Sequence, residues 1–229
     1  MKIQVLLPTL FMTSLSAAQQ VMENGNTKNL LLERSPSNLK GFTWMNPPKS
    51  FDISNGILTV EAPKGSDFFN NPEDGNKTGT APFLFTEIKG DFVVKARVQP
   101  DFSGQWNAVA LMVHIDENYW IKFAFENSDA TGPSIVTVVT KDLSDDANGV
   151  VLVNRGTIWL KLIRKRDNYA MLWSEDDSDY KMARLTSLPK STSVKIGLEA
   201  QCPVGLNAKH LISFFGIEQK TVKAMRKGF

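Results

Sequence analysis

Three side chains in the stretch YWIKFAFE, Trp120, Lys122 and Glu126, are spaced to share one face of an extended strand. An indole ring, an ammonium and a carboxylate side by side could hold a polyol. The flat ring suits the C–H face of a sugar, Lys122 can orient a hydroxyl or carboxylate, and Glu126 can accept from a hydroxyl. Two further carboxylates are candidates for the same surface. Glu199 lies in SVKIGLEAQ, where Val194, Ile196, Leu198 and Ala200 take the other side of the strand, and Asp67 directly precedes Phe68-Phe69. Glycoside hydrolysis requires two carboxylates about 5 to 10 Å apart across a cleft, so Glu126, Glu199 and Asp67 are the catalytic candidates. Each residue also has a structural reading. Glu126 can be the ion-pair partner of Lys122, Trp120 can pack beside His114, and Asp67 can cap a backbone amide. His114 has an ordinary pKa near neutrality, and its alternative is likewise packing.

Other chemistries are excluded by inventory. One cysteine and two histidines allow no internal disulfide and no Cys/His metal cluster. Cys202, in the strand-like run LEAQCP, reads as a small buried hydrophobe. The acidic run SEDDSD lacks the glycine that a calcium loop needs at its sharp turn, and reads as a hairpin turn. Phosphate-binding glycine loops and nucleophile-elbow motifs are absent, so no metal and no cofactor is expected. A net charge of +2 with scattered basic residues argues against nucleic acid as a partner.

The elements that must position these residues are strands. Short runs rich in Val, Ile, Phe and Trp recur, punctuated by Gly, Pro, Asn and Asp: GILTVEA, PFLFTEI, DFVVKARVQ, WNAVALMVHI, YWIKFAFE, SIVTVVT, TIWLKLIRK, YAMLWSE, YKMARL, SVKIGLEAQ and HLISFFGIEQ. No helical period is sustained through residues 39–218, which predicts an all-β antiparallel sandwich of many strands. One hairpin can be read to the residue. With Asp116, Glu117 and Asn118 as the loop, Ile115 pairs with Tyr119, Val113 with Ile121, Leu111 with Phe123 and Val109 with Phe125. The opposite face then pairs His114 with Trp120, Met112 with Lys122, Ala110 with Ala124 and Ala108 with Glu126. A one-residue slip would turn the apolar set to the wrong side.

The first eighteen residues, one lysine and then an apolar run ending in Ser16-Ala17-Ala18, have the form of a cleavable secretory signal. That run is too short for a stable membrane anchor. Residues 19–38 are polar and read as a linker, 39–218 as the sandwich domain, and 219–229, with KTVKAMRKGF, as a solvated basic tail. Asn76-Lys77-Thr78 is a glycosylation sequon.

The succession FTWMNPP, SDFF, GDFVVKARV, YWIKFAFE, IVTVVT, LWSEDDSDY and LEAQCP resembles the regulation-of-enolase-type family, also called domain of unknown function 1349, of the concanavalin A-like lectin/glucanase superfamily. The resemblance covers roughly residues 41 to 218. It implies a jelly roll of two curved antiparallel sheets, with sugars bound on the concave face of one. By position, Asp67-Phe68-Phe69 matches an Asp-Phe-Trp motif, Trp120, Lys122 and Glu126 match a Trp-x-Lys-x-x-x-Glu strand, and Thr140, Ser144 and Asp145 match a segment in which a Trp usually follows. Phe69 stands in place of the first Trp and Asp146-Ala147 in place of the second. The Glu-x-Asp-x-x-Glu strand of the superfamily's glucanases is absent. The resemblance implies a lectin-like carbohydrate-binding protein with Asp67, Phe69, Trp120, Lys122, Glu126 and Asp145 around its ligand; strand alternation adds His114 and Glu199 to that set, and the signal-like N-terminus makes the expected protein a secreted one. The alternatives are a glycoside hydrolase or lyase acting through the concave-face carboxylates, and a regulatory module with a protein partner, which fits a cytoplasmic chain whose N-terminal segment is not a signal.

Overall fold

Alternating apolar runs bury one face each, and two such sheets bury both faces at once by packing together. The computed structural model describes residues 27–229. Its sixteen strands, numbered in chain order, form two seven-stranded antiparallel sheets and one short hairpin. The first sheet runs in the order β1 (Thr43–Met45), β6 (Phe83–Lys89), β15 (Ser193–Gln201), β8 (Ala108–Asp116), β9 (Tyr119–Ser128), β10 (Gly132–Lys141), β11 (Leu143–Val151). The second runs β14 (Lys181–Ser187), β13 (Asn168–Ser174), β12 (Ile158–Lys165), β7 (Phe92–Gln99), β16 (Asn207–Glu218), β3 (Ile57–Pro63), β2 (Ser50–Ser54). The hairpin pairs β4 (Phe68–Asn70) with β5 (Lys77–Gly79). This is the expected concanavalin A-like sandwich, and every apolar run singled out in the sequence is a strand.

Between the sheets lies the main core, with Val109, Leu111, Val113, Ile121, Phe123 and Phe125 from the first sheet against Leu160, Leu162 and Met171 from the second. The other face of the first sheet carries a second apolar layer. There the β4–β5 hairpin lies over Ala108, Ala110, Met112, Trp120 and Ala124, with Phe68 as its inward ring. Burial on both faces explains why β8 and β9 read as nearly unbroken apolar runs. In the middle of the first sheet Gly197 is obligatory. A Cβ on it would stand 1.9 Å from the Leu84 carbonyl oxygen.

The β8–β9 register is as expected from Ala108 opposite Glu126 to His114 opposite Trp120. It departs at the end, where Asp116 rather than Ile115 faces Tyr119. Ile115 is a bulge, which shortens the turn to Glu117-Asn118, and the Asp116 carboxylate accepts from the amides of Asn118 and Tyr119.

The N-terminal end of the described chain is packed, and the C-terminal tail is mostly exposed but anchored at one residue. The expected signal, residues 1–18, and the start of the expected linker lie outside the described residues. From Thr27 the linker segment lies on the sandwich. Leu31, in the 3₁₀ turn Leu30–Glu33, is in the main core, and the Asn29 side chain donates to the carbonyls of Gly56 and Ser213 and accepts from the Phe215 amide. Most of the tail is exposed, as a solvated tail would be, but Val222 is buried against Val93, Ile163 and Leu172 on the outer face of the second sheet, and its carbonyl accepts from Lys165. Among the described residues no helix is long and apolar enough to cross a membrane.

Candidate functional site

Strand alternation in β4 sorts its side chains into two depressions on either side of the hairpin. Phe68 and Asn70 point to one, of about 330 Å³, together with Met45, Lys77, His114 and Trp120. Phe69, flanked by Asp67 and Asn71, points to the other, of about 360 Å³, whose remaining walls are Trp106, Lys122, Glu126, Asp129, Val138, Asp146 and Gln201. The second depression gathers four of the residues expected at a ligand site: Asp67, Phe69, Lys122 and Glu126.

Lys122 is the hub of this cavity, and the protein itself uses all of its donors. Its ammonium is 3% exposed and donates to Asp67 Oδ1 at 3.1 Å, the Phe68 carbonyl at 3.0 Å and Gln201 Oε1 at 2.8 Å. Three protons meet three acceptors. Burial opposes its charge, but Asp67, Glu199 and Glu126 outweigh that, and its pKa lies above the ordinary lysine value. Lys122 therefore clamps the hairpin to the sheet. Gln201 passes the connection on, its amide donating to the Trp106 carbonyl at 2.8 Å.

Trp106 is 36% exposed at the cavity wall and sits at φ +60°, the left-handed region that bulky residues rarely occupy. Two backbone links hold it there, its amide to the Asn127 carbonyl at 2.7 Å and its carbonyl to Gln201. Strain sustained in this way is a mark of functional positions.

Glu126 is 5% exposed and, among the described residues, its carboxylate takes part in no hydrogen bond and no ion pair of 4 Å or less. Burial raises its pKa to about 8 against the pull of Lys122, with Asp146, Asp67 and Asp129 adding to the rise. The expected Lys122–Glu126 ion pair is thus absent, because Asp67 occupies the ammonium instead. Asp146 is raised too, by partial enclosure and then by neighbouring carboxylates, against Lys122.

Four residues expected at the ligand lie elsewhere. Glu199 is fully enclosed, neither oxygen has a partner, and it does not line the cavity. Burial raises its pKa to about 8. Trp120, read from sequence as either a sugar platform or packing beside His114, is 1% exposed and packs edge-on against Phe68 at 6.0 Å, because the hairpin covers its strand. His114 lies beside that packing, its pKa lowered to about 4 by burial and by Lys195. Asp145 stands opposite Val139, a main-core residue, and pairs with Arg184 at 2.6 Å. Its neighbour Asp146 stands opposite Val138 and faces the cavity. Thr140 and Ser144 serve the hairpin. Their hydroxyls are 2.8 Å apart, and Ser144 Oγ accepts from the Asn70 amide at 2.9 Å.

The sequence reading missed Trp106, Asp146, Asp129 and Gln201. Gln201 shares a strand face with Glu199, and Trp106 is an isolated Trp in the polar approach SGQW, so both left a trace. The acidic SEDDSD segment is a turn. The Asp176 carboxylate accepts from the Ser178 amide, and Asp177 pairs with the buried Lys95 at 2.9 Å. Cys202 is fully buried, as expected.

Comparison with known proteins agrees with this architecture. Over 173 residues the chain is 27% identical to the Saccharomyces cerevisiae protein named Regulation of enolase protein 1, covering 76% of this chain and 87% of that one. A solved S. cerevisiae protein described as functionally unknown superposes with a TM-score of 0.75 at 26% identity, covering 80% of this chain and 98% of that one. Two remoter structures share the fold alone. One is the GH43 protein BlXynB (K247S mutant) of Bacillus licheniformis, with TM-score 0.62 and 13% identity over 77% of this chain and 36% of that one. The other is lectin I-B4 of Griffonia simplicifolia, with TM-score 0.52 and 9% identity over 80% and 94%. The family model described as "Protein of unknown function (DUF1349)" matches residues 44–220. The chain belongs to that family.

Proposed function

We propose that this protein is a lectin-like carbohydrate-binding protein whose ligand sits between Phe69 and Trp106. The observation that carries the reading is Trp106, an exposed ring held in a strained conformation at the wall of a cavity with a polar floor. Its volume of about 360 Å³ falls at the low end of the roughly 300 to 1,000 Å³ usual for small-molecule sites. Aromatic walls over hydrogen-bonding groups suit a sugar, whose ring faces are apolar and whose rim is hydroxylated. The aromatic contact that the family pattern would have supplied from Phe69 and from the position after Asp145 comes here in part from Trp106. Secretion follows from the signal-like N-terminal segment and belongs to the same reading.

A glycan array followed by calorimetry on the hits tests it. Binding that Trp106→Ala abolishes, in a chain that still unfolds cooperatively, supports the site. Hits that ignore that substitution overturn it.

A hydrolase is the second reading. Glu126 favours it, being a cavity carboxyl that keeps its proton near neutrality, as a general acid must. Its partner would be Asp67 or Asp146, since Glu199 does not reach the cavity. New reducing ends in the product would decide for this reading. The yeast relative's name supports a third, regulation of a protein partner, which recovery of that partner without any glycan binding would favour.

A further inference from the structure

We propose that the cavity between Phe69 and Trp106 selects a sugar bearing a free ammonium group, a 2-amino-2-deoxy sugar without an acetyl group. The inference rests on the carbohydrate reading above and narrows it to a substrate class.

Four carboxyl groups, those of Asp67, Glu126, Asp129 and Asp146, line the cavity against one ammonium, Lys122. Lys122 has no proton left for a ligand, because Asp67, Phe68 and Gln201 take all three. Asp67 is thereby matched. Glu126, Asp129 and Asp146 take part in no ion pair among the described residues. Glu126 points independently to a missing partner, since it is 95% buried, lines the cavity and accepts no hydrogen bond. Leaving such a carboxyl without a partner is unfavourable unless it stays protonated or a cation meets it.

The geometry favours a cation carried on a ring over a bare metal ion. Among the described residues no three His, Cys, Asp or Glu side chains converge as metal ligands. Trp106 and Phe69 on the walls add an attraction for an ammonium that metal coordination would not use. An N-acetyl group would remove the charge and bring an uncharged amide against three unmatched carboxyls.

The proposal also fixes what happens to a proton. Around Glu126 stand Lys122 on its own strand, Asp129 just beyond that strand, Asp146 from β11, Asp67 ahead of β4 and the enclosed Glu199 from β15, with uncharged Ala108 and Ser134 on the flanking strands. Burial keeps the empty site's Glu126 protonated near neutrality. An ammonium seated against it favours the carboxylate, so the proton leaves to solvent as the ligand enters and binding releases a proton.

Calorimetry of the full chain with trisaccharides of glucosamine, N-acetylglucosamine and β-1,4-linked glucose tests this, at a mildly acidic pH where the amines are charged. Two buffers of different ionisation heat read the proton. The expected result is about tenfold tighter binding of the glucosamine trisaccharide, with proton release for that ligand alone. Glu126→Gln and Asp146→Asn should each narrow that preference several-fold. Asp146 lies on the open edge strand β11, so its variant tests the charge without endangering the fold. Equal or tighter binding of either uncharged trisaccharide overturns the amino-sugar inference and leaves the carbohydrate reading standing. A preference unchanged in both variants also overturns it. If none of the three binds, the amino-sugar inference falls, and if the wider glycan array is empty too, the carbohydrate reading falls with it.

Discussion

Lys122 and Glu199 are enclosed in one layer beneath the β4–β5 hairpin, 3% and 0% exposed, yet they form no ion pair. The ammonium is saturated by Asp67, Phe68 and Gln201, and neither Glu199 oxygen has a partner. With its pKa raised to about 8 by burial, Glu199 is a carboxylic acid at neutral pH. The layer therefore holds one charged clamp beside a neutral acid, and the stability of the fold depends on keeping that acid neutral.

Stability should fall as pH rises from 6.5 to 8. Glu126 and Glu199 have pKa values raised from 4.5 to about 8, so between those values the folded chain keeps protons that the unfolded chain releases. Stability declines wherever the folded state binds more protons. The buried His114 and His210, lowered from 6.5 to about 4, act oppositely as pH falls below 6.5. The two effects offset each other between 4.5 and 6.5, which leaves the carboxyl slope alone above 6.5. Urea midpoints across this range should show the decline, and Glu199→Gln should roughly halve it. An unaltered slope in that variant would refute the assignment.

Lys122→Met should destabilise the fold by about 3 to 5 kcal/mol, the usual loss when one partner of a buried pair is removed. Trp120→Ala should lose about 3 to 5 kcal/mol by leaving a cavity where a nearly sealed ring stood. Denaturant titration measures both. Losses under about 1 kcal/mol, as at ordinary surface positions, would mean that the hairpin does not hold this layer closed.

Trp106 should behave in the opposite way, with Trp106→Ala weakening ligand binding by about 1 to 3 kcal/mol while stability barely changes. Trp106→Gly should be more stable than Trp106→Ala by about 1 kcal/mol, because glycine adopts φ +60° without strain. Thermal melts of the pair give the difference, and a more stable alanine variant would contradict it.

Gly197→Ala should yield little soluble protein. The added Cβ meets the backbone of Leu84, which cannot move without parting β6 from β15. Soluble expression at the level of the unaltered chain would show that the sheet yields more than this contact implies.

The sandwich was legible because burial imposes period two. The pairs from Val109–Phe125 to His114–Trp120 could be read from sequence because only one register keeps Phe123 and Phe125 facing inward. Five strands were not legible: β5 and β11, since NPEDGNKTG and LSDDANGVV carry almost no apolar alternation, and β1, β2 and β4, which are only three to five residues long. Without β11 as a strand its parity could not be assigned, so Asp145 was expected at the ligand when Asp146 faces the cavity. Lys122 was legible as a residue of interest but not as a clamp, because its partners lie 54, 55 and 79 residues away. Whether Trp120 is open or covered was not legible for a related reason, as the strand pattern shows which face a ring takes and not what later covers it.

The polar character that hid β11 has its own consequence. β11 is the outermost strand of the first sheet, and its free side could pair with another copy of the same strand. Asp146, which takes part in no ion pair among the described residues, places a carboxyl group along that border, and copies approaching edge to edge would bring two such groups together. Replacing it with a β-branched residue would make a better strand by local preference and a stickier protein. Asp146 thus stands at once on the open border of the sheet and in the wall of the cavity.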